Sequence, residues 1–225
     1  MKIGILTAMM KEHDQIAAML SDTRKLEGLF NYVVGTLNGN EVVLQQCGIG
    51  KVNAAIGTAE LIRNYQPDCI ISTGVAGGID ACLNVMDVVV SNRCVQHDFD
   101  LTLGYERGEI QGLTRFFESD AKLIAAAESL QDPTIHIGLI CTGDQFVTDR
   151  SALNIIKGYF PDGLAVDMES GAIAQTCYIY KVPFVSFRII SDTPGAEDNQ
   201  QQYKDFWAEM AQKSFMITKR YLEKL

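Results

Sequence analysis

The sequence contains no C-x-x-C pair, no excess of positive charge and no apolar run near the roughly 20 residues that a membrane span requires. Each absence removes a class of protein. The six cysteines (47, 69, 82, 94, 141 and 177) are scattered, several inside Val/Ile-rich runs, which predicts buried thiols in a reducing compartment rather than disulfides or a zinc site. With 19 basic against 28 acidic residues the net charge is -9, so no nucleic-acid partner is expected. The N-terminal run Ile3 to Ala8 meets Lys11 and Glu12 at once, leaving no h-region or cleavage site, and the expectation is a soluble cytoplasmic protein without membrane contact. Histidine is scarce, with three in all; His97-Asp98-Phe99-Asp100 falls short of any closed metal site, and no metal or other cofactor is expected. Two nucleotide signatures are also missing. Gly48-Ile49-Gly50-Lys51 is followed by Val52 and lacks the earlier glycine of a P-loop, and no G-x-G-x-x-G follows the first apolar run.

What is present reads as one α/β domain spanning residues 1–225. There are no repeats, low-complexity tracts or Pro/Gly/Ser linkers. Strands are predicted at Lys2–Thr7, Glu41–Gln46, Asp68–Thr73, Asp87–Ser91, Ile135–Cys141, Leu164–Met168 and Pro183–Ile190, each a short Val/Ile-rich run bounded by polar residues or glycine. Helices are predicted at Glu12–Leu20, Lys51–Tyr65, Ser119–Leu130 with Ser119 as N-cap, Ser170–Tyr180 and about Gln202–Leu225. The alternation, with near-continuous apolar strands such as Val88-Val89-Val90, predicts a three-layer α/β/α sandwich. Asn38-Gly39 between Tyr32–Leu37 and Glu41–Gln46 is a type I′ hairpin signal, so the central sheet is expected to be mixed.

In open α/β sheets ligands sit beyond the carboxyl ends of the strands. Here those ends carry Ala8-Met9-Met10-Lys11-Glu12, Gly48-Ile49-Gly50-Lys51, Gly74-Val75-Ala76-Gly77-Gly78, Gly143-Asp144-Gln145-Phe146-Val147, Asp167-Met168-Glu169-Ser170 and Ser191-Asp192. A carboxylate or a glycine-rich turn at nearly every exit suits a small polar ligand bound by backbone amides and worked on by acids and bases. Three glycines in Gly74–Gly78 favour close approach of a flat ligand over a simple turn. Glu12 and Glu169 could equally be helix caps. Asp192 follows an apolar strand, where burial would raise its pKa and suit it to donate a proton. Arg188 could be a structural ion-pair partner or could orient Glu169. Tyr203, Phe206 and Trp207 have core spacing, although Tyr203 or Phe206 could also cap a pocket.

Together, these motifs resemble the bacterial 5′-methylthioadenosine/S-adenosylhomocysteine nucleosidases, within the wider purine nucleoside phosphorylase family. The resemblance spans nearly the whole chain, with the motifs in family order. It implies an α/β/α fold with a mixed sheet, a purine nucleoside as small-molecule substrate and hydrolytic release of adenine. By that resemblance Asp192 protonates the leaving base and Glu12 activates the attacking water, while Glu169 holds the ribose hydroxyls. Phe146 and Val147 bind the base, and Ala76, Gly77, Met168 and Ser191 belong to the base and sugar pockets. Met9, Ile49 and Tyr203 line the 5′-alkylthio pocket. The family's homodimers imply that the 97–101 loop completes the partner's site, with Leu101 touching the 5′ substituent. Glu12 in the first loop would repel a phosphate dianion, which favours hydrolysis over phosphorolysis. Val75 stands where a serine is common, Asp167 where a glutamate is usual, and Met10 and Lys11 where acids are frequent. These departures bear on substrate range. The alternatives on the same scaffold are futalosine-type or 5′-deoxyadenosine hydrolases and a phosphate-dependent phosphorylase.

Overall fold

The chain is described by a computed structural model covering residues 1–102 and 104–225, with the side chains of all of these but 209–214. Ten strands form one mixed sheet. They are β1 (Lys2–Thr7), β2 (Ser21–Leu26), β3 (Asn31–Leu37), β4 (Asn40–Gln46), β5 (Cys69–Gly78), β6 (Val88–Gln96), β7 (Phe117–Glu118), β8 (Ile135–Thr142), β9 (Gly163–Asp167) and β10 (Phe184–Asp192). The helices are α1 (Met10–Ala17), α2 (Lys51–Tyr65), α3 (Ala121–Glu128), α4 (Arg150–Tyr159), α5 (Ser170–Tyr180), α6 (Asn199–Asp205) and α7 (Ala211–Leu222), with a π-helical segment at Phe206–Met210 joining the last two. Among the described residues no helix is long and apolar enough to cross a membrane.

Side-chain alternation along the central strands explains the three layers. Val43 and Ile70 face the cluster shared with Ala54, Leu61, Ile173 and Cys177 of α2 and α5. Their neighbours Val42, Leu44, Cys69 and Ile71 face the opposite cluster, with Ile16 of α1, Leu123 of α3 and Phe215, Tyr221 and Leu222 of α7. Both faces of β5 and β10 are therefore buried, which accounts for their apolar composition on both sides of the pleat, broken only by small polar residues, Arg188 and the terminal Asp192.

The sheet is not fully open. Parallel β4, β1, β5 and β10 run one way, whereas β6, β8 and β9 run parallel to one another in the opposite sense. Because β10 pairs with both β5 and β6, and β9 pairs with β5, the strands β5, β10, β6, β8 and β9 close into a ring. The closure brings the last residues of β5 and β9 together antiparallel, Gly77 opposite Val166 and Gly78 opposite Ala165. Two sets of strand exits that an open sheet would send to opposite edges therefore meet.

Several boundaries differ from the sequence reading. Gly74–Gly78 is not a turn but the continuation of β5, paired with β10 from Arg188↔Gly74 to Asp192↔Gly77. The N-cap of α3 is Asp120 rather than Ser119: its carboxylate accepts from the amides of Lys122 and Leu123, while the Ser119 hydroxyl pairs with that of Ser91 at 2.7 Å. The first helix starts at Met10, two residues before Glu12, and the C-terminal helix starts at Asn199. Strands β2 and β7 and helix α4 lie outside the sequence prediction. The Asn38-Gly39 hairpin is present, with φ of 49° and 81° at the two turn residues, as a type I′ turn requires.

Candidate active site

Where the strand exits meet, a cleft encloses about 600 Å³ of open space, its mouth included. Its walls come from the β1–α1 turn (Ala8, Met9, Glu12), Ile49 before α2, Val75–Gly77 of β5, Gln145–Val147 after β8, Val166–Glu169 at the end of β9, Ser191 and Asp192 of β10, and Tyr203 of α6. Twelve of the thirteen site residues expected from the sequence line it. Leu101 does not; it lies half-buried in the loop after β6.

Glu12 occupies the third position of α1 and is 1% exposed. One carboxylate oxygen accepts from the amides of Ala8 and Met9, both at 3.0 Å, and the other accepts from the amide of Val75 at 3.0 Å. The carboxylate does two things at once: its bond to Met9 caps α1, and it lines the cleft. Burial raises its pKa, and Arg188 and the three amides oppose that rise. The room it occupies depends on Gly74: a Cβ there would stand 2.4 Å from the Glu12 carboxylate and 2.7 Å from the Arg188 guanidinium.

Arg188 is 1% exposed and sits behind the cleft as its internal cation. Its Nε lies 2.9 Å from the Asp167 carboxylate, its Nη2 donates to the Ser72 hydroxyl at 2.8 Å, and the same nitrogen is 3.8 Å from Glu169. Asp167 is fully engaged, because it also accepts from the hydroxyl of Thr142 and from the amide and hydroxyl of Ser170 at the start of α5. One guanidinium thus faces Asp167, Glu169 and Glu12, all three buried at the floor of the cleft. Glu169 accommodates the imbalance: burial, together with the charges of Asp167 and Glu12, pushes its pKa to about 7 against the pull of Arg188. Its Oε1 accepts from the Gly50 amide at 2.9 Å, just before α2.

Asp192 ends β10, where the register against β5 shifts between Ile190 and Asp192. It is 1% exposed, and burial raises its pKa. Its Oδ1 accepts from the Ser191 hydroxyl at 2.6 Å and its Oδ2 from the Asn199 side-chain amide at 2.5 Å. At the mouth, the Phe146 ring is 51% exposed and meets Tyr203 edge-on at 5.5 Å between centroids. The Tyr203 hydroxyl reaches the Met9 sulfur at 3.7 Å, whereas Phe206 is 0% exposed and packs in the core. Tyr203, not Phe206, therefore closes this end. The arrangement offers acids and bases to a ligand whose flat part slides between an aromatic ring and glycine-rich backbone.

Residues 2–223 match the phosphorylase superfamily. The 5′-methylthioadenosine/S-adenosylhomocysteine nucleosidase of Chromohalobacter salexigens is 40% identical over an alignment covering 100% of this chain and 97% of that protein. The chain belongs to this nucleosidase family. Among solved structures of nucleosidase family members, that from S. pneumoniae with the transition-state inhibitor MT-ImmA has a TM-score of 0.93 at 35% identity, covering 100% of this chain and 99% of that one. The Colwellia psychrerythraea nucleosidase in complex with adenine has a TM-score of 0.93 at 38% identity, covering 100% and 96% of the two chains.

Against that family background, sequence reasoning missed Asn199, the polar partner of Asp192, and the part played by Asp98. Asp98 accepts from the Lys51 ammonium at 2.7 Å and from the Asp144 amide at 2.9 Å, and Asp144 in turn accepts from the Lys51 amide at 2.8 Å. This rivet ties the loop after β6 to two segments that border the cleft, the start of α2 and the loop after β8. The His97-Asp98-Phe99-Asp100 segment carries no sequence signal for this clamp, because the partners of Asp98 lie 46 and 47 residues away.

Proposed function

We propose that this chain hydrolyses the N-glycosidic bond of 5′-methylthioadenosine and S-adenosylhomocysteine, releasing adenine, and that residues 1–225 act as a single nucleosidase unit. The observation that carries the reading is the meeting of Glu12, Glu169 and Asp192, none more than 5% exposed, on one cleft with an apolar mouth. Adenine stacks on Phe146 and reaches the backbone at Val147, with Ala76, Gly77 and Met168 against base and sugar. Asp192 gives its proton to N7 of the base. The C1′–N9 bond then breaks with its electron pair going to the purine, and positive charge grows on the ribose. Burial supports this role, because a carboxyl with a raised pKa retains the proton it must donate. Glu12 takes a proton from the water that attacks C1′, giving the free sugar. Glu169 accepts hydrogen bonds from the ribose hydroxyls and stabilises the developing cation. An acid at the leaving group and a base at the water are what glycosidic hydrolysis requires. Met9, Ile49 and Tyr203 take the 5′-alkylthio group.

The same reading makes the protein a homodimer. Ile49, Val52 and Ile56 are 52%, 69% and 46% exposed along the start of α2, an apolar strip suited to a second copy. Asp98 ties the 97–101 loop to Lys51 at the start of that helix, and in this reading the loop reaches across so that Leu101 enters the partner's cleft. The test is chromatographic detection of adenine from each nucleoside with wild type, Asp192→Asn and Glu12→Gln. Wild type is expected to release adenine, and each variant to lose roughly 10²–10⁴-fold in kcat. Near-wild-type turnover by either variant overturns its assignment.

A further inference from the structure

Asn199 opens α6 without capping it through its side chain, yet that side chain is buried, the residue being 2% exposed, and bonded to the carboxyl assigned as the acid. Its Nδ2 donates to Asp192 Oδ2 at 2.5 Å, while its own Oδ1 is buried with no hydrogen-bond partner among the described residues. An unpaired buried acceptor is costly and calls for a reason. The reason lies in what its neighbour must do. A carboxylate needs donors, whereas a carboxylic acid offers one, and a primary amide can answer both by turning its NH₂ or, after a 180° flip, its carbonyl toward the same oxygen. A leucine there could answer neither state, and an aspartate only the protonated one.

We propose that Asn199 is a positioning residue for Asp192, its amide holding the carboxyl in place both before and after the proton leaves. The inference rests on the reading of Asp192 as the general acid. No covalent bond to Asn199 forms or breaks; the proton passes from Asp192 to the purine, and the anion left behind accepts a hydrogen bond from the Asn199 NH₂. Charged and titratable groups around the acid are Glu12 of α1, Asp167 of β9, Glu169 at the start of α5, Tyr203 of α6 and Arg188 of β10, the last engaged with Asp167 and Glu169. Among the described residues none of these hydrogen-bonds Asp192, which leaves Ser191 and Asn199 as its direct partners. Both donate, so both favour the ionised form and oppose the rise caused by burial.

The sign of the effect follows. Removing the Asn199 donor disfavours the carboxylate, so the pH at which Asp192 loses its proton moves up, and with it the alkaline limb of kcat/KM. Asn199→Leu should move that limb up by about one pH unit, the scale of one hydrogen bond to a charged group. Asn199→Asp should move it further, because two adjoining carboxyls share a proton. The experiment is the pH profile of kcat/KM for adenine release from methylthioadenosine by wild type, both Asn199 variants and Asp192→Asn, with folding checked by circular dichroism. Upward shifts ordered Asp above Leu above wild type support the inference. If Asp192→Asn is inactive while folded Asn199 variants keep the wild-type limb, the inference is wrong and the acid assignment stands. If Asp192→Asn keeps wild-type turnover, the acid assignment itself fails. Should Asn199→Leu not fold, the isosteric Asn199→Asp decides alone.

Discussion

At the scale of single residues, the site is governed by a charge imbalance. Arg188 faces three carboxyls in a buried space, and the structure accommodates this by leaving Glu169 near pKa 7 rather than its ordinary 4.5. The folded chain therefore keeps a proton that the unfolded chain releases between those two values, and stability must fall as pH rises through that window. Relative to Glu169→Gln, the wild type is expected to lose stability between about pH 5 and about pH 7 and to change little above. Urea titrations of both proteins across that range check this, and pH-independent differences between them contradict it. The three acids were legible in the sequence because each follows an apolar strand run. Arg188 was legible only as an alternative, since nothing in its local pattern tells which carboxylates the fold brings to it. Asn199 was invisible for a similar reason: its partner lies seven residues away, across a loop with no periodic signal.

At the scale of elements, what matters is how loops from separate strands are clamped. Asp98 joins the loop after β6 to the start of α2 and to the loop after β8, and the Gly50 amide beside it holds Glu169. Asp98→Ala should loosen these segments together, raising KM for the nucleoside about tenfold while lowering kcat less, because positioning is lost and the acids remain. Asp98→Asn keeps one acceptor and should fall between. Steady-state kinetics of the two variants check the order, and an unchanged KM in Asp98→Ala contradicts it. Most helices and central strands could be read from periodicity because both faces of the sheet are covered. Edge strand β2, Ser-Asp-Thr-Arg-Lys-Leu, could not: it is almost entirely exposed and carries no apolar alternation. Helix α4 was hidden by the weak burial of its residues, among which Ile156 alone is fully buried. Beyond Thr73 the Val/Ile pattern of β5 gives way to glycine, so its continuation to Gly78 carries no periodic signal; the glycines give room to Glu12, Pro194 and the crossing β9.

At the scale of the whole molecule, ring closure by β10 and β9 turns an open-sheet expectation into a meeting of opposed strand exits. Periodicity reports which residues are strands but not which distant strands pair, so the convergence was expected while its route was not. The proposed dimer makes a prediction of its own. If Leu101 completes the partner's site, Leu101→Glu and Asp192→Asn proteins should each be impaired alone, yet recover activity when unfolded and refolded together. A mixed dimer then has one cleft with its own Asp192 and the partner's intact Leu101. Activity no higher than the sum of the two parents contradicts the shared site. The central claim, that this cleft directs water rather than phosphate to C1′, is tested most directly by product analysis. Purified protein is given methylthioadenosine in phosphate-free buffer and again with phosphate in excess, and both the base and the sugar are identified chromatographically. The account predicts adenine and free methylthioribose at the same rate in both. Adenine release that requires phosphate, with methylthioribose 1-phosphate as the second product, would contradict it.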